Sequence, residues 1–233
     1  MNSNIDFQKG YFEGKNSNYK KGYFLDKERE HIFNFFINEF LSNISFTNIL
    51  DIGCATGIFL HVLQKKYPNT KLFGVDVSDY GIQTCRNNLT GIFKVYDVNK
   101  SKIPFKKKFD LITSFELIEH LFNEDNYLKN INYSLKKGAF FLFSCPMKSG
   151  LIRRMLDKDT THINLHDSRY YLNIMPRYGF HIKKYKQIAL WSKIPTVNLR
   201  NFLNYRGNPI ETSLDLLTQD QIYLCRKNYD IYK

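Results

Sequence analysis

The sequence lacks the features that mark secreted, membrane-spanning and zinc-cluster proteins. Its four cysteines, at positions 54, 85, 145 and 225, form no C-x-x-C pair, which argues against a disulfide framework and a zinc site. No apolar run approaches the roughly 20 residues that a membrane-spanning helix needs. The first residues do not show the basic and then apolar order of a signal peptide. We therefore expect a cytoplasmic protein with reduced thiols and no membrane span.

The charge balance is the one bulk property that suggests a macromolecular partner. The net charge is +12, a sign shared with many nucleic-acid-binding proteins. Most of the lysines are scattered, however, and the two denser stretches, 100–108 and 183–186, do not interleave aromatics as a base-stacking platform would. A nucleic acid is therefore not the favoured partner. A hydrophobic content of 43% argues against disorder and predicts a globular chain.

Residues 49–57, with the sequence ILDIGCATG, are the most informative segment. An apolar strand leads into a turn that contains Gly53 and Gly57, and a second apolar strand ends at Asp76, about 20 residues further on. This order is typical of a nucleoside-binding βαβ unit. The turn lacks the G-x-G-x-x-G order that binds a pyrophosphate, and no Gly-Lys-Ser/Thr follows to hold a triphosphate. The pattern therefore favours a nucleoside ligand without phosphates.

Short apolar strands and amphipathic helices alternate along most of the chain, which predicts a doubly wound α/β fold with a mostly parallel sheet. We expect residues 1–45 to form an irregular arm and a helix that begins after Asp26, and residues 46–233 to form the main domain. The segment 191–217 is predicted to be an insertion that helps to form a substrate pocket. Strands are predicted at 47–52, 71–76, 91–96, 109–115, 139–144, 180–189 and 221–226, and helices at 56–66, 78–88, 123–135 and 167–178.

Four motifs in the expected order resemble the class I S-adenosylmethionine-dependent methyltransferases, in particular the broad group that methylates oxygen and nitrogen in small molecules. They are LDIGCATG at 50–57, GVDVS at 74–78, Asp97 shortly before IPF, and FDLITSFELIEHL at 109–121. Ala55 departs from the family pattern, which usually has glycine there. The resemblance implies a Rossmann-like sheet of seven strands that ends in a C-terminal antiparallel hairpin.

The resemblance also implies a cofactor, S-adenosylmethionine, and the residues that hold it. Asp51 would face its amino-acid portion, Asp76 would accept hydrogen bonds from the ribose diol, and Asp97 would meet the adenine amino group. The other residues expected at the cofactor are Gly53, Cys54, Gly57, Val77, Val98, Phe115, Glu116 and Tyr23. Aromatic residues of the arm, such as Tyr11, Phe12, Tyr19 and Tyr23, are predicted to close over the site or to tether the arm to the sheet.

The segment that contains Glu116, Glu119 and His120 carries the candidate chemistry. On a helical turn these three side chains would share one face. A structural or positioning role is the favoured interpretation. The second is general base catalysis by His120 together with His162, because an imidazole titrates near neutral pH. The third is a divalent metal held by Glu116, Glu119 and His120, which is not favoured because such a cluster alone identifies no metal.

The sequence thus predicts a methyltransferase that acts on a hydroxyl of a small molecule such as a sugar, a quinone or a secondary metabolite. One alternative is a metal-dependent RNA 3′-end 2′-O-methyltransferase, which the Glu-x-x-Glu-His segment and the positive charge would suit. Another is a protein that binds the cofactor or a partner without catalysis. The identity of the acceptor and the oligomeric state stay open, because fold alone does not determine reaction.

Overall fold

A computed structural model describes residues 9–15, 22–100, 102–149, 161–190, 210–212 and 220–231. The strands are β1 Asn48–Ile52, β2 Lys71–Asp76, β3 Gly91–Val95, β4 Phe109–Phe115, β5 Leu135–Pro146, β6 Phe180–Leu190, β7 Ile210–Thr212 and β8 Asp220–Lys227. The helices are α1 Lys9–Phe12, α2 Lys27–Phe36, α3 Ile58–Lys66, α4 Asp79–Asn88, α5 Glu124–Ser134 and α6 Ser168–Ile174. A π-helical turn, Ile37–Leu41, extends α2, and 3₁₀ turns cover Ile118–His120 and Met175–Tyr178.

The sheet has the order β3-β2-β1-β4-β5-β8-β6-β7. The pairs from β3 to β5 are parallel, whereas β8 runs antiparallel to β5 and to β6. This confirms the predicted doubly wound sheet with its C-terminal antiparallel hairpin. The short edge strand β7 lies within the predicted insertion at 191–217, where the sequence analysis placed no strand. The rest of that insertion, 191–209 and 213–217, lies outside the described residues.

Side-chain caps determine where several helices begin, and α2 begins after Asp26 as the sequence predicted. The carboxylate of Asp26 accepts a hydrogen bond from the backbone N–H of Arg29 at 2.8 Å. The hydroxyl of Ser78 accepts one from Gly81 at 3.0 Å. Each cap satisfies an N–H that has no partner within the first helical turn. The Ser78 cap starts α4 directly after β2 and so holds the end of that strand in place.

The core lies on both faces of the sheet, since successive side chains of a strand point to opposite sides. Leu50 and Ile52 of β1 pack into one buried cluster together with α5 and α6. Ile49, from the same strand, packs into the other cluster with α2, α3 and α4. Covering both faces leaves the carboxyl ends of the parallel strands as the place where loops can form a site.

In the described part of the chain, no helix has both the length and the apolar character that are needed to cross a membrane.

Candidate functional site

The turn after β1 brings backbone close to the end of β2. Gly53, Ala55 and Gly57 all have positive φ angles, of 75°, 49° and 80°. The N–H groups of Gly53 and Cys54 both donate to the carbonyl of Val75, at 2.8 and 3.1 Å. Cys54 is buried beneath the turn, and its hydrogen bond with Cys85 together with burial raises the pKa of its thiol. The turn is thus built from residues with small side chains, and the thiol of Cys54 is buried.

Asp76 fixes this turn from the end of β2. One carboxylate oxygen accepts from the N–H of Ala55 and the other from the N–H of Ser78, both at 2.8 Å. A carboxylate offers about four lone-pair positions, so acceptor capacity remains for a ligand. Burial raises the pKa of Asp76, against the lowering effect of hydrogen bonds from the backbone N–H groups of Ser78, Ala55 and Val77. The side chain can therefore both hold the loop and accept hydrogen bonds from a diol.

Asp51 brings a second buried carboxyl group to the same cleft. It lies on β1 and accepts a hydrogen bond from the hydroxyl of Thr113 on the adjacent strand β4, at 2.6 Å. Burial raises its pKa to about 7, and the nearby charge of Asp76 contributes to that rise. Two carboxyl groups in a poorly solvated cleft repel an anion and attract a cation. The cleft is therefore unsuited to a phosphate and suited to a positively charged ligand.

The next two strand ends supply the other expected cofactor residues. Val77 follows Asp76 and has an exposed fraction of 47%, which leaves an apolar surface for a planar group. Asp97 follows β3; its carboxylate accepts from the N–H of Asn99 at 3.0 Å and lies 3.6 Å from the ammonium of Lys100. Val98 packs against the core cluster under α5. These residues follow the ends of β2 and β3, at the same edge of the sheet as the end of β1.

The last residue of β4, Phe115, packs against aromatic rings, whereas the next residue, Glu116, makes hydrogen bonds. The ring of Phe115 stacks on Phe36 of α2 at 4.9 Å and meets Phe59 of α3 edge-on at 4.7 Å. Glu116 has a φ of 49°, which is uncommon for a residue other than glycine, and accepts a hydrogen bond from the hydroxyl of Ser144 at 2.7 Å. The backbone of Glu116 also donates to the carbonyl of Ser144, at 3.2 Å. Both contacts turn Glu116 toward β5.

This geometry changes the composition of the predicted carboxylate–imidazole cluster. Because Glu116 adopts a left-handed conformation and only Ile118–His120 form a 3₁₀ turn, Glu116 does not share a helical face with Glu119 and His120. The third member within the described residues is instead His162, and the ligand atoms of Glu119, His120 and His162 all lie within 4.8 Å of one another. The expectation of a Glu116–Glu119–His120 face was wrong. His162, singled out from the sequence as a catalytic candidate, joins the cluster from a segment that is distant in sequence.

His120 is held on both sides of its ring. Its Nδ1 lies 2.8 Å from the hydroxyl of Thr161, and its Nε2 lies 3.8 Å from the carboxylate of Glu119. The rings of His120 and His162 are 4.7 Å apart. Glu119 is fully buried, and its backbone carbonyl accepts the N–H groups of Ile163 and Asn164, both at 2.9 Å. The two histidines are thus fixed next to each other beside the end of β4.

The described part of the N-terminal arm packs beside the end of β2. Phe12 is buried, and its ring stacks on Tyr80 of α4 at 5.9 Å. Its carbonyl accepts the N–H of Tyr23 at 2.6 Å, and the ring of Tyr23 lies under the guanidinium of Arg29 at 4.9 Å. Tyr80 is four residues after Asp76, so the arm lies next to the cleft. Tyr19 lies outside the described residues.

Comparison with protein families decides the class of this chain. A family model described as a methyltransferase domain matches residues 24–185, which is well over half of the sequence. The chain belongs to the class I S-adenosylmethionine-dependent methyltransferases. This confirms the resemblance that the four motifs suggested.

Curated relatives of the methyltransferase include enzymes with different acceptors. Malonyl-[acyl-carrier protein] O-methyltransferase 2 of Ilyobacter polytropus is 33% identical over 101 residues, which cover 42% of this chain and 38% of that protein. N-methyltransferase 4 of Papaver somniferum is 36% identical over 102 residues, covering 41% and 28%. The ubiquinone biosynthesis O-methyltransferase of Coxiella burnetii is 23% identical over 177 residues, covering 72% and 71%. The methyltransferase thus aligns with little more than a third of the first relative and less of the second.

Solved structures agree with the fold of the methyltransferase. An S-adenosylmethionine-dependent methyltransferase from Clostridium acetobutylicum has a TM-score of 0.62 at 16% identity, covering 88% of this chain and 93% of that one. An O-methyltransferase of a Brevibacillus brevis polyketide synthase, in complex with S-adenosylhomocysteine, has a TM-score of 0.58 at 17% identity, covering 86% and 72%. At these identities the likeness establishes the fold alone.

The cleft of the methyltransferase fits the cofactor of its family. S-adenosylmethionine carries a sulfonium and an ammonium cation, a ribose diol and an adenine, and no phosphate. Asp51 and Asp76 would supply negative charge and acceptor positions for such a ligand, and Val77 would supply an apolar surface. The positive φ angles of Gly53 and Gly57 let backbone come close, and Gly57 begins α3, whose N–H groups suit a carboxylate.

Proposed function

We propose that the methyltransferase transfers a methyl group from S-adenosylmethionine to an oxygen of a small molecule. The observation that supports this most directly is the cluster of Glu119, His120 and His162 next to the cofactor cleft, with its ligand atoms within 4.8 Å of one another. A hydroxyl acceptor must be oriented and must lose its proton during transfer, and imidazoles and carboxylates are groups that orient such a hydroxyl. Two of the three relatives described above are named O-methyltransferases.

The residues of the cleft would act mainly by binding and alignment. The sulfonium of the bound cofactor supplies the activated methyl group, so the protein has to position the acceptor and exclude water. Asp76 would hold the ribose diol, and Asp51 would face the amino-acid portion. Glu116, turned toward Ser144, would line the cleft at the end of β4. His120 and His162 would hold the acceptor hydroxyl in line with the methyl group.

The same cluster supports a second candidate, in which a divalent cation orients the acceptor oxygen. One carboxylate and two imidazoles at this spacing form a mixed oxygen and nitrogen ligand set, which several divalent metals accept. A bound cation would favour acceptors with two adjacent oxygens and would lower the pKa of the attacking hydroxyl. An RNA 3′ end also offers such a pair of hydroxyls, but the positive charge of the protein is not sufficient evidence for an RNA acceptor.

The proposal is tested with S-adenosylmethionine that carries a ¹³C-labelled methyl group and a panel of hydroxylated, carboxylated and aminated small molecules. We expect S-adenosylhomocysteine to form and the label to appear as an O-methyl signal by NMR. In Asp76→Ala both cofactor binding, measured by calorimetry, and transfer should be lost. Asp79→Ala, with an exposed carboxylate three residues away, should bind and react like the wild type.

The outcomes separate the alternatives. Label found on nitrogen or carbon, or the absence of any methylated product while the cofactor binds, would overturn the proposal. Loss of transfer with a chelator, and recovery with a divalent cation, would establish the metal-assisted form. Activity on RNA that falls steeply with salt concentration would point to the nucleic-acid acceptor instead.

A further inference from the structure

A segment of the chain that we term the strap, residues 161–167, carries two histidines, and only one of them belongs to the cluster described above. At its start, Thr161 and His162 contact His120. At its end, His166 pairs with Met147, the residue after β5, and its carbonyl accepts from the side chain of Gln221 at 2.8 Å. The strap therefore runs from the end of β4 to the end of β5.

His166 forms a second carboxylate–imidazole pair at the β5 end of the strap. Its Nε2 lies 3.5 Å from the carboxylate of Glu124, whose side chain is only 10% exposed. The same carboxylate oxygen accepts the hydroxyl of Tyr170 at 2.9 Å. The ring of Tyr170 stacks on His166 with centroids 3.6 Å apart and planes 15° apart. Burial and donation to Glu124 raise the pKa of Tyr170, so the phenol stays a donor that holds the carboxylate in place.

This pair orients the ring of His166, with Nε2 and not Nδ1 toward Glu124. A carboxylate can only accept, so we expect the neutral ring to carry its hydrogen on the nitrogen that faces Glu124. In the neutral ring the other nitrogen, Nδ1, is then a hydrogen-bond acceptor. No described residue forms a hydrogen bond with Nδ1, and 28% of the side chain is exposed. His120 differs, because both of its ring nitrogens face partners within the protein.

The position of His166 also suits contact with an acceptor. Ligands of open α/β sheets bind outside the carboxyl ends of the strands, near the point where strand order reverses. In this sheet that point lies between β1 and β4, and β5 is the next strand, with Glu116 already bonded to it through Ser144. An acceptor that binds on the β4 side of this point would lie over the ends of β4 and β5, which the strap crosses.

We infer that His166 is the general base of the methyl transfer and that Glu124 is its positioning residue. The inference rests on the proposed function, since it concerns the proton of a hydroxyl acceptor. As the acceptor oxygen forms its bond to the methyl carbon, its proton passes to Nδ1 of His166. The carbon–sulfur bond breaks with its electron pair left on sulfur, and the imidazolium later releases its proton to water. Glu124 stabilises that imidazolium, as a carboxylate does in other oriented imidazole bases.

The experiment compares His166→Gln and Glu124→Gln with His181→Gln, which replaces an exposed histidine on β6 at the far end of the sheet. Cofactor affinity and thermal stability are measured first to confirm that each variant folds. Single-turnover transfer to the acceptor is then followed across pH. In His166→Gln we expect the transfer rate to fall by at least about 10²-fold. The rate should recover at high pH, where the acceptor hydroxyl ionises without a base. Glu124→Gln should lose about tenfold, and His181→Gln should match the wild type.

Ring ¹⁵N NMR gives a readout that does not depend on turnover. The His166 signal is the one of the six histidine signals that disappears in His166→Gln. We expect the neutral wild-type ring to carry its proton on Nε2, and Glu124→Gln to admit the Nδ1-protonated form. The charged and titratable groups that face the ring are Glu124 from α5 and Tyr170 and Tyr171 from α6, so Tyr170→Phe tests the remaining contact.

Failure of the inference and failure of the proposed function give different results. An unchanged rate and pH profile in His166→Gln, or a wild-type ring protonated on Nδ1, would overturn the assignment of His166 even if oxygen is methylated. A wild-type enzyme that places the methyl group on nitrogen or carbon would overturn the proposed function. In that case two measurements still decide whether His166 takes the proton. They are the tautomer of the wild-type ring and the transfer rate of His166→Gln to the acceptor that was identified.

Discussion

At the scale of single residues, Asp51 and Asp76 hold the two carboxyl groups whose ionisation decides the charge of the cofactor cleft. Burial raises the pKa of both, to about 7 for Asp51. The folded state therefore binds the Asp51 proton more tightly than the unfolded chain does, where the pKa is about 3.9. The contribution of Asp51 to stability without cofactor is present below about pH 4 and falls as the pH rises toward 7. A cationic ligand would compensate for that loss.

Cofactor affinity should therefore increase with pH through the titration of Asp51. We expect S-adenosylmethionine to bind more tightly as the pH rises from about 6 to about 8, approaching tenfold per unit below the pKa. Calorimetry in buffers of matched ionic strength measures this dependence. Asp51→Asn keeps the shape of the side chain and the contact with Thr113 but cannot ionise, so its affinity should be lower and nearly constant. A wild-type affinity that does not change with pH would contradict the role of Asp51.

At the scale of elements, the turn between β1 and α3 leaves little room for a side chain at its last glycine. Gly57 has a φ of 80°, and a Cβ there would lie 2.7 Å from Leu89 and 2.9 Å from the Sγ of buried Cys85. Gly138 has nearly the same φ, 79°, but a Cβ there would approach only Arg226, at 3.4 Å. The two glycines thus share the conformational strain of a substitution and differ in the space around it.

We expect Gly138→Ala to lower the free energy of unfolding by about 1 kcal/mol, the cost of a left-handed non-glycine residue. Gly57→Ala should lose about 2–3 kcal/mol, since crowding of Cys85 and Leu89 adds to that cost. Only Gly57→Ala should also weaken cofactor binding, because it displaces the turn. Urea unfolding and calorimetry on both variants measure the two effects. An equal loss of unfolding free energy in the two variants would show that crowding by Leu89 and Cys85 does not contribute to the cost at Gly57.

The elements that sequence reasoning predicted well are those determined by local patterns. Strands at 71–76 and 109–115 have the predicted bounds, and Asp26 caps α2 because a carboxylate next to a helical apolar pattern can satisfy a free N–H. The region after β4 could not be predicted in the same way. Glu116 adopts a left-handed conformation through contacts with Ser144, 28 residues away, which no local pattern encodes. The pairing of Glu124 with His166 depends in the same way on the strap.

At the scale of the whole molecule, side-chain bonds between strands lie at one end of the sheet and the candidate site lies at the other. At the end away from the cleft, Asp110 on β4 accepts from Thr47 and Asn48 and pairs with Lys136. Burial opposes ionisation there, but these donors lower the pKa of Asp110 below its usual value. Lys227 on β8 is buried and donates to the carbonyls at the end of α5. These side chains stabilise the sheet at this end, so the loops at the other end can form the site without also joining the strands.

The described part of the N-terminal arm contacts α4, and this contact gives a last prediction. Phe12 belongs to neither of the two core clusters, and its buried ring stacks on Tyr80, close to Asp76. Phe12→Ala should therefore detach the arm with little change in melting temperature, and the cofactor should dissociate several-fold faster in stopped-flow measurements. Phe24→Ala, which alters a half-exposed ring of the same arm, should leave the dissociation rate unchanged. If deletion of residues 1–24 leaves cofactor affinity and turnover at wild-type values, the arm is a tether and not a lid.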